Sequence, residues 1–193
     1  MQDSAITTLF FDFFGVVCSE VAPFWVSKYA RSEEHARALY SIIKLADAGV
    51  ISDEEMYARL SEETAEKPGK IEGDWHALAS IDWEIVALLD LLSATRRIIL
   101  LSNSPARFLT SLLLKNNLFK KFEHVLISAE MQLAKPDRAI YLKACELTQT
   151  KVHEVLVIDD QLANINAAES IGIRGILFKS AQELRAHQLL CFS

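Results

Sequence analysis

The sequence predicts an α/β fold, in which a doubly wound, mostly parallel sheet carries an inserted helical cap. Short apolar runs without polar alternation are typical of parallel strands that are buried on both faces. Helical patterns separate most of these runs, and one connection is far longer than an ordinary loop. The runs that we interpret as strands are residues 8–13, 98–101, 124–127, 155–158 and 175–178.

Helical patterns follow the second, third and fourth runs. Ser104 and Pro105 predict the start of the first helix, because a side-chain cap followed by proline is typical of that position. Pro136 opens the second helix, and Gly172 ends the third. Strands that alternate with helices in this way predict a doubly wound sheet, which binds its ligands beyond the carboxyl ends of the strands.

The long connection between the first two strands predicts the cap, because its signals are helical. Ser32 caps a helix that ends at Gly49, and Ser52 begins a capping box. Residues 67–70 predict a loop, and residues 83–92 predict a helix that leads back to the sheet. The predicted domains are a core of residues 1–18 and 95–193 and a helical cap of residues 19–94.

Composition argues against several classes of partner. The formal net charge of −6 offers no basic surface for nucleic acid. No apolar stretch approaches the roughly 20 residues that cross a membrane, and the first residues lack the positive charge of a secretory signal. The three cysteines are odd in number and lack metal-type spacing, which favours free thiols. We therefore expect a cytoplasmic protein that binds neither nucleic acid nor membrane.

Asp12 ends an otherwise apolar run. An isolated buried carboxylate is unfavourable, so we expect this side chain at the open end of the first strand. Gly15 predicts a sharp turn at which the backbone approaches another group closely. Taken alone, Asp12 also fits an ordinary aspartate that caps such a turn.

Polar residues follow the second and third strands as well. Ser102 and Asn103 offer a hydroxyl and backbone N–H groups at a helix entrance, an arrangement that binds anions. Lys135 can neutralise a phosphate or hold a carboxylate in position. Each signal is weak alone, since a helix cap or a solvated lysine explains it equally well.

Two adjacent carboxylates, Asp159 and Asp160, close the fourth strand. Their mutual repulsion is unfavourable unless a cation or hydrogen-bond donors offset it. Oxygen ligands with room for water and phosphate suit magnesium. An acidic helix cap explains one of the two residues. Since the carboxyl ends of parallel strands meet at one edge, all of these groups should converge on one rim of the sheet.

In this order, the motifs resemble those of the haloacid dehalogenase superfamily across nearly the whole chain. The inserted segment, including residues 47–52, is similar to the helical cap of the subfamily that holds small-molecule phosphatases and dehalogenases. The residues that carry the resemblance are Phe11 to Val17, Leu101 to Asn103, Lys135 to Asp137, and Ile158 to Asp160 with Asn164 and Ala168.

The resemblance implies a Rossmann-like core and a mechanism for each matching position. Asp12 would attack phosphorus and form an aspartyl phosphate. Mg²⁺ would be held by Asp12, by the backbone carbonyl of Phe14 and by Asp159. The remaining implied roles are catalytic support from Asp160 and substrate binding by Ser102, Asn103 and Lys135, with Ser102 and Lys135 also catalytic. A small phosphorylated metabolite would be the substrate, beneath a cap that closes over the site.

One position departs from the phosphatase pattern. Phe14 stands where such enzymes carry a second aspartate, which protonates the leaving oxygen and activates water. Acid–base help of this kind is typically worth ~10²–10⁴ in rate, so we expect a bias toward good leaving groups such as aryl, acyl or anomeric phosphates. Glu20, at the edge of the cap, is an alternative acid.

Two other functions remain open on the sequence. An aromatic residue at position 14 also resembles the metal-free haloacid dehalogenases, although Val16 and the pair of aspartates argue against that activity. A non-catalytic homologue that binds a phosphorylated ligand is the second alternative. The sequence does not specify the substrate, and it leaves a monomer and a homodimer equally open.

Overall fold

A computed structural model describes residues 5–190 and shows one parallel sheet of five strands. The strand order is β3-β2-β1-β4-β5, and every neighbouring pair is parallel. The predicted fold class is therefore confirmed. The strands are β1 (Thr8–Phe11), β2 (Arg97–Ser102), β3 (His124–Ile127), β4 (Val155–Asp159) and β5 (Arg174–Leu177).

The central strand shows why these runs form a buried parallel sheet. All four residues of β1 are buried, and their side chains alternate between two apolar cores. Leu9 and Phe11 belong to one core, and Phe10 belongs to the other. Helices must therefore cover both faces, as a doubly wound sheet requires. The strands β2 and β3 lie on one side of β1, and β4 and β5 lie on the other. Such sheets bind ligands in the crevice where the strand order reverses, which here lies beyond the ends of β1 and β4.

Ten helices accompany the sheet in the described residues, and half of them lie between β1 and β2. Within residues 5–190, no helix is both long and apolar enough to span a bilayer. The helices are α1 (Ala22–Tyr29), α2 (Glu33–Asp47), α3 (Asp53–Thr64), α4 (Pro68–Leu78), α5 (Trp83–Leu92), α6 (Ala106–Lys115), α7 (Ser128–Met131), α8 (Arg138–Thr148), α9 (Leu162–Glu169) and α10 (Ala181–Arg185).

The inserted helices divide into two groups. Helices α1 to α4 pack on one another, whereas α5 packs on α10 and on the short 3₁₀ turn Phe119–Lys121 of the core. The segment that leads into α1 and the segment that leads from α4 to α5 lie side by side. Two backbone hydrogen bonds join them, from Ser19 N to Ser80 O and from Asp82 N to Val17 O, both at 2.9 Å. The division of the chain into core and cap at residues 18 and 95 stays a prediction.

The helix starts in the inserted segment follow the sequence signals, with one exception. Ser32 and Ser52 cap α2 and α3, and each hydroxyl accepts a hydrogen bond from a backbone N–H three residues later. The predicted loop at residues 67–70 is wrong, since α4 begins there with Pro68 in its first turn. Proline is favoured at that position because the N–H that it lacks has no partner inside the helix.

Candidate active site

Three carboxylates meet where β1 and β4 end. Asp12 directly follows β1, Asp159 is the last residue of β4, and Asp160 comes next. One oxygen of each lies within 4.8 Å of the others. Asp159 is fully buried and Asp12 is 8% exposed. The sequence prediction that these residues converge on one rim therefore agrees with the geometry. We call the group of Asp12, Lys135, Asp159 and Asp160 the acidic rim.

Lys135 lies between two of these carboxylates. Its Nζ is 2.8 Å from Asp12 Oδ2 and 2.7 Å from Asp159 Oδ2. Burial disfavours the charged lysine, but the two carboxylates outweigh it and raise the pKa of Lys135. Burial raises the pKa of Asp12, against the opposing charge of Lys135. The lysine thus offsets the repulsion that two buried carboxylates would otherwise suffer.

Further polar contacts fix the orientation of the acidic rim. Asn103 Nδ2 donates to Lys135 O at 2.8 Å, and Lys135 N donates back to Asn103 Oδ1 at 2.9 Å. Asn164 Nδ2 lies 2.9 and 3.0 Å from the two Asp159 oxygens, and Gln161 N donates to Asp159 Oδ1 at 2.8 Å. The side chain of Asn103 therefore positions the lysine segment, a contact that the sequence did not predict.

Gly15 shows the close approach that its place in the sequence predicts. Its φ of +79° is in the left-handed region, and a Cβ at this position would lie 2.4 Å from Asp160 Oδ2. Gln161 Nε2 donates to that oxygen at 2.8 Å, while Asp160 Oδ1 is buried and has no hydrogen-bond partner in residues 5–190. Glycine at this turn therefore lets the backbone pack directly against the Asp160 carboxylate.

The segment after β2 differs in part from its predicted form. Ser102 is fully buried, and its Oγ has no hydrogen-bond partner among the described residues. A bound ligand could supply the missing partner. Ser104 does not cap the helix, because its hydroxyl donates to Pro105 O and α6 begins only at Ala106. Asp53 of α3 replaces it: its carboxylate accepts the N–H groups of the first turn of α6, at 3.1 and 2.8 Å. That cap is distant along the chain, so no local motif could reveal it.

A cavity of about 170 Å³ lies over Asp12 and Lys135, between the core and the inserted helices. Much of its wall is apolar. The ring of Phe14 stacks parallel to that of Phe108 with centroids 5.8 Å apart, and Trp75 packs edge-on against Phe108 at 5.2 Å. Phe14, which the resemblance places as a metal ligand through its backbone carbonyl, therefore contributes an apolar ring to the cavity.

Two further carboxyl groups, Glu20 and Asp47, line the cavity on the side of the inserted helices. We call this side, with Ile43 and Trp75, the cap wall. Burial and the nearby charges of Glu20 and Asp53 raise the pKa of Asp47 to about 7. Burial and the charge of Asp160 raise the pKa of Glu20. The sequence predicts Glu20 as an alternative acid, whereas no local pattern indicates a chemical role for Asp47.

The acidic rim fits a small divalent cation. Its donors are carboxylate oxygens, one of which has no partner in the part of the chain that the structure describes, and hard cations prefer such ligands. Asp12 also lies at the cavity floor with one lysine beside it, as a nucleophile that attacks an anionic group would. The individual roles assigned to Asp12, Phe14, Ser102, Asn103, Lys135, Asp159 and Asp160 remain predictions.

Comparison with known proteins identifies a matching family and similar folds. A family model described as haloacid dehalogenase-like hydrolase matches residues 6–172. A HAD family enzyme from Bacteroides thetaiotaomicron has a TM-score of 0.78 at 23% identity, with 91% of this chain and 95% of that chain covered. The same enzyme is known in complex with magnesium and inorganic phosphate. A predicted HAD-like family hydrolase from Porphyromonas gingivalis has a TM-score of 0.74 at 23% identity, covering 90% of this chain and 91% of that one.

A curated relative matches only locally. Drimenol cyclase drtB from Aspergillus calidoustus is 31% identical over 64 residues, which is 33% of this chain. The match spans 12% of the cyclase, so it does not carry the activity of the cyclase over to this chain.

Proposed function

The chain belongs to the haloacid dehalogenase-like hydrolase family, and on that premise we propose that it is a magnesium-dependent phosphatase of small phosphorylated metabolites. The observation that carries this proposal is the acidic rim, in which oxygens of three carboxylates lie within 4.8 Å of one another and one of the three, Asp12, lines the cavity. The complex of the Bacteroides thetaiotaomicron enzyme with magnesium and inorganic phosphate supports it.

In this proposal, Asp12 is the nucleophile and its carboxylate forms an aspartyl phosphate. Asp12, Asp159 and the backbone carbonyl of Phe14 would hold Mg²⁺, with Asp160 in support. When bound, the ion neutralises charge between the carboxylate and the phosphoryl group. Lys135, whose Nζ lies 2.8 Å from Asp12, binds the transferring oxygens together with Ser102, whose hydroxyl has no partner within residues 5–190.

Residue 14 supplies no proton to the leaving group. The benzyl ring of Phe14 can neither donate nor accept one, although acid–base help is worth ~10²–10⁴ in rate. The small volume of the cavity, about 170 Å³, favours a compact leaving group. Its aromatic wall of Phe14, Trp75 and Phe108 favours one with an apolar surface.

A panel of phosphate esters, assayed for phosphate release with and without Mg²⁺, tests the proposed function. We expect Mg²⁺-dependent turnover, and a fall in kcat of at least about 10⁴-fold in Asp12→Asn because the nucleophile is lost. Asp90→Asn is the matched control, since the Asp90 carboxylate forms an exposed ion pair with Lys121 and does not line the cavity.

Two results would overturn the proposal. Binding of Mg²⁺ and inorganic phosphate without turnover of any ester would identify a non-catalytic homologue. Release of halide from a 2-haloacid in the absence of Mg²⁺ would identify a dehalogenase.

Sedimentation of the same preparation would decide between the predicted monomer and homodimer.

A further inference from the structure

Resting on the proposed phosphatase, we propose that Asp47 is the acid–base residue that position 14 does not provide. Asp47 protonates the leaving oxygen and then takes a proton from the water that hydrolyses the aspartyl phosphate. It belongs to the cap wall, far in sequence from the nucleophile, so this assignment differs from the family pattern that the resemblance implies.

The position of Asp47 suits a group that acts on the leaving oxygen. It is the last residue of α2, and it lines the same cavity as Asp12 and Lys135. In a phosphoryl transfer, the attacking and leaving oxygens lie roughly in line on opposite sides of phosphorus. If Asp12 attacks from the cavity floor, the leaving oxygen points away from the floor, where the cap wall lies.

Contacts with the core hold Asp47 in place. Ser128 Oγ donates to the backbone carbonyl of Asp47, and the N–H of Ser104 donates to Ser128 Oγ at 3.0 Å. Two residues on, Gly49 has a φ of +69°, and a Cβ there would lie 2.1 Å from Ala129 O. The end of α2 therefore lies directly against the start of α7, which fixes the backbone of Asp47 against the core.

The Asp47 carboxyl group has no competing partner. Its surroundings in the described residues contribute burial and nearby charges but no hydrogen bond. Glu20, before α1, and Asp53, at the start of α3, disfavour its ionised form, while Lys44 of α2 favours it. From α7, Ser128 binds the backbone carbonyl of Asp47 and Ala129 faces Gly49, and neither residue is titratable in this pH range. With a pKa raised to about 7, the group can both donate and accept a proton near neutral pH.

Glu20 lines the same cavity but is placed differently. It also lines a neighbouring cleft, together with Gly15 and Asp160, so it lies toward the acidic rim. Its negative charge is among the causes that keep the proton on Asp47. We therefore assign the proton transfer to Asp47 and a supporting electrostatic effect to Glu20.

Both chemical steps balance with Asp47 as the proton carrier. In the first, a bond forms between an Asp12 oxygen and phosphorus, the bond from phosphorus to the leaving oxygen breaks, and the Asp47 proton passes to that oxygen. In the second, water attacks phosphorus, the bond from Asp12 to phosphorus breaks, and a water proton returns to Asp47. The products are an alcohol and inorganic phosphate, and both carboxyl groups are restored.

A series of phosphate esters, from nitrophenyl phosphate to a primary alkyl phosphate, tests the proposal in Asp47→Asn. We expect kcat/KM for the alkyl ester, which reports transfer of the phosphoryl group to Asp12, to fall by about 10²-fold because the leaving oxygen needs a proton. For the nitrophenyl ester, whose leaving group needs no proton, kcat/KM should change within about threefold, which also reports that the variant is folded. Its kcat should fall, because hydrolysis of the aspartyl phosphate loses its base. Asp90→Asn, which keeps Asp47, should show the wild-type ratio between the two esters.

The pH dependence provides a second readout. For the alkyl ester, kcat/KM of the wild type should fall as the pH rises through about 7, where Asp47 loses its proton, and this limb should be absent in Asp47→Asn. The unfolded carboxyl ionises near 3.8 and the folded one near 7, so the wild type binds more protons when folded. Its free energy of unfolding should therefore decrease between these pH values, and that of Asp47→Asn should decrease less.

An unchanged ratio between the esters in Asp47→Asn, with the pH limb retained, would overturn the assignment of Asp47 and leave the phosphatase intact. In contrast, a wild type that turns over no ester with Mg²⁺ would overturn the proposed function itself.

Discussion

The acidic rim and the cap wall face each other across one cavity, but their polar groups are held in opposite ways. In the rim, Lys135 joins Asp12 and Asp159, and Asn164 binds both oxygens of Asp159. In the cap wall, the carboxyl group of Asp47 receives no hydrogen bond from the described residues, and burial raises its pKa to about 7. The first region fixes charges in space, and the second leaves a proton available.

This difference separates two requirements of a hydrolase. A nucleophile and a cation site need charged oxygens at fixed distances, which a network of donors provides. Proton transfer needs a group with a pKa near the working pH, which partial burial without a partner provides. The acidic rim can therefore be preorganised, while the cap wall exchanges a proton with the leaving group.

Replacement of the central lysine should have the largest effect on stability. Lys135→Met leaves Asp12 and Asp159 buried without their cation, so we expect the free energy of unfolding to fall by about 3–5 kcal/mol. Urea unfolding near neutral pH measures it. Lys143→Met is the matched control, because Lys143 forms an exposed pair with Glu146 and should change stability by less than about 0.5 kcal/mol. Equal losses in the two variants would show that the rim does not depend on the lysine.

A smaller effect is expected at the turn beside the rim. Gly15→Ala forces a left-handed backbone on alanine and places its Cβ against Asp160, so we expect a loss of about 1–3 kcal/mol and weaker turnover. Gly73→Ala is the control, since Gly73 lies in α4 with nothing near its would-be Cβ and alanine should stabilise that helix by about 0.5–1 kcal/mol. A neutral Gly15→Ala would remove the argument that glycine is required for this close approach.

The sequence predicts the rim well, for a physical reason. Asp12 directly follows β1, Asp159 ends β4, and Lys135 lies on the connection from β3 to α8. Parallel strands bring their carboxyl ends to one edge whatever the rest of the chain does. The five strands and the capped helices α2 and α3 were predictable on the same local grounds, since apolar runs and Ser caps act within a few residues.

The cap wall was not predictable in this way. The role of Asp47 depends on where the end of α2 meets Ser128, and the cap of α6 depends on Asp53 of α3. Both contacts join segments more than fifty residues apart, so neither leaves a local pattern. The error at Pro68 has a different origin: proline and glycine together suggest a loop, but proline is also favoured in the first turn of a helix.

The covalent state of Asp12 during turnover shows most directly whether this residue is the nucleophile. Protein quenched in acid while it hydrolyses nitrophenyl phosphate with Mg²⁺ should gain the mass of one phosphoryl group, and fragmentation should locate it on Asp12. The gain should be absent in Asp12→Asn and without Mg²⁺. Turnover with no such adduct, or an adduct on another residue, would contradict the proposal that Asp12 is the nucleophile.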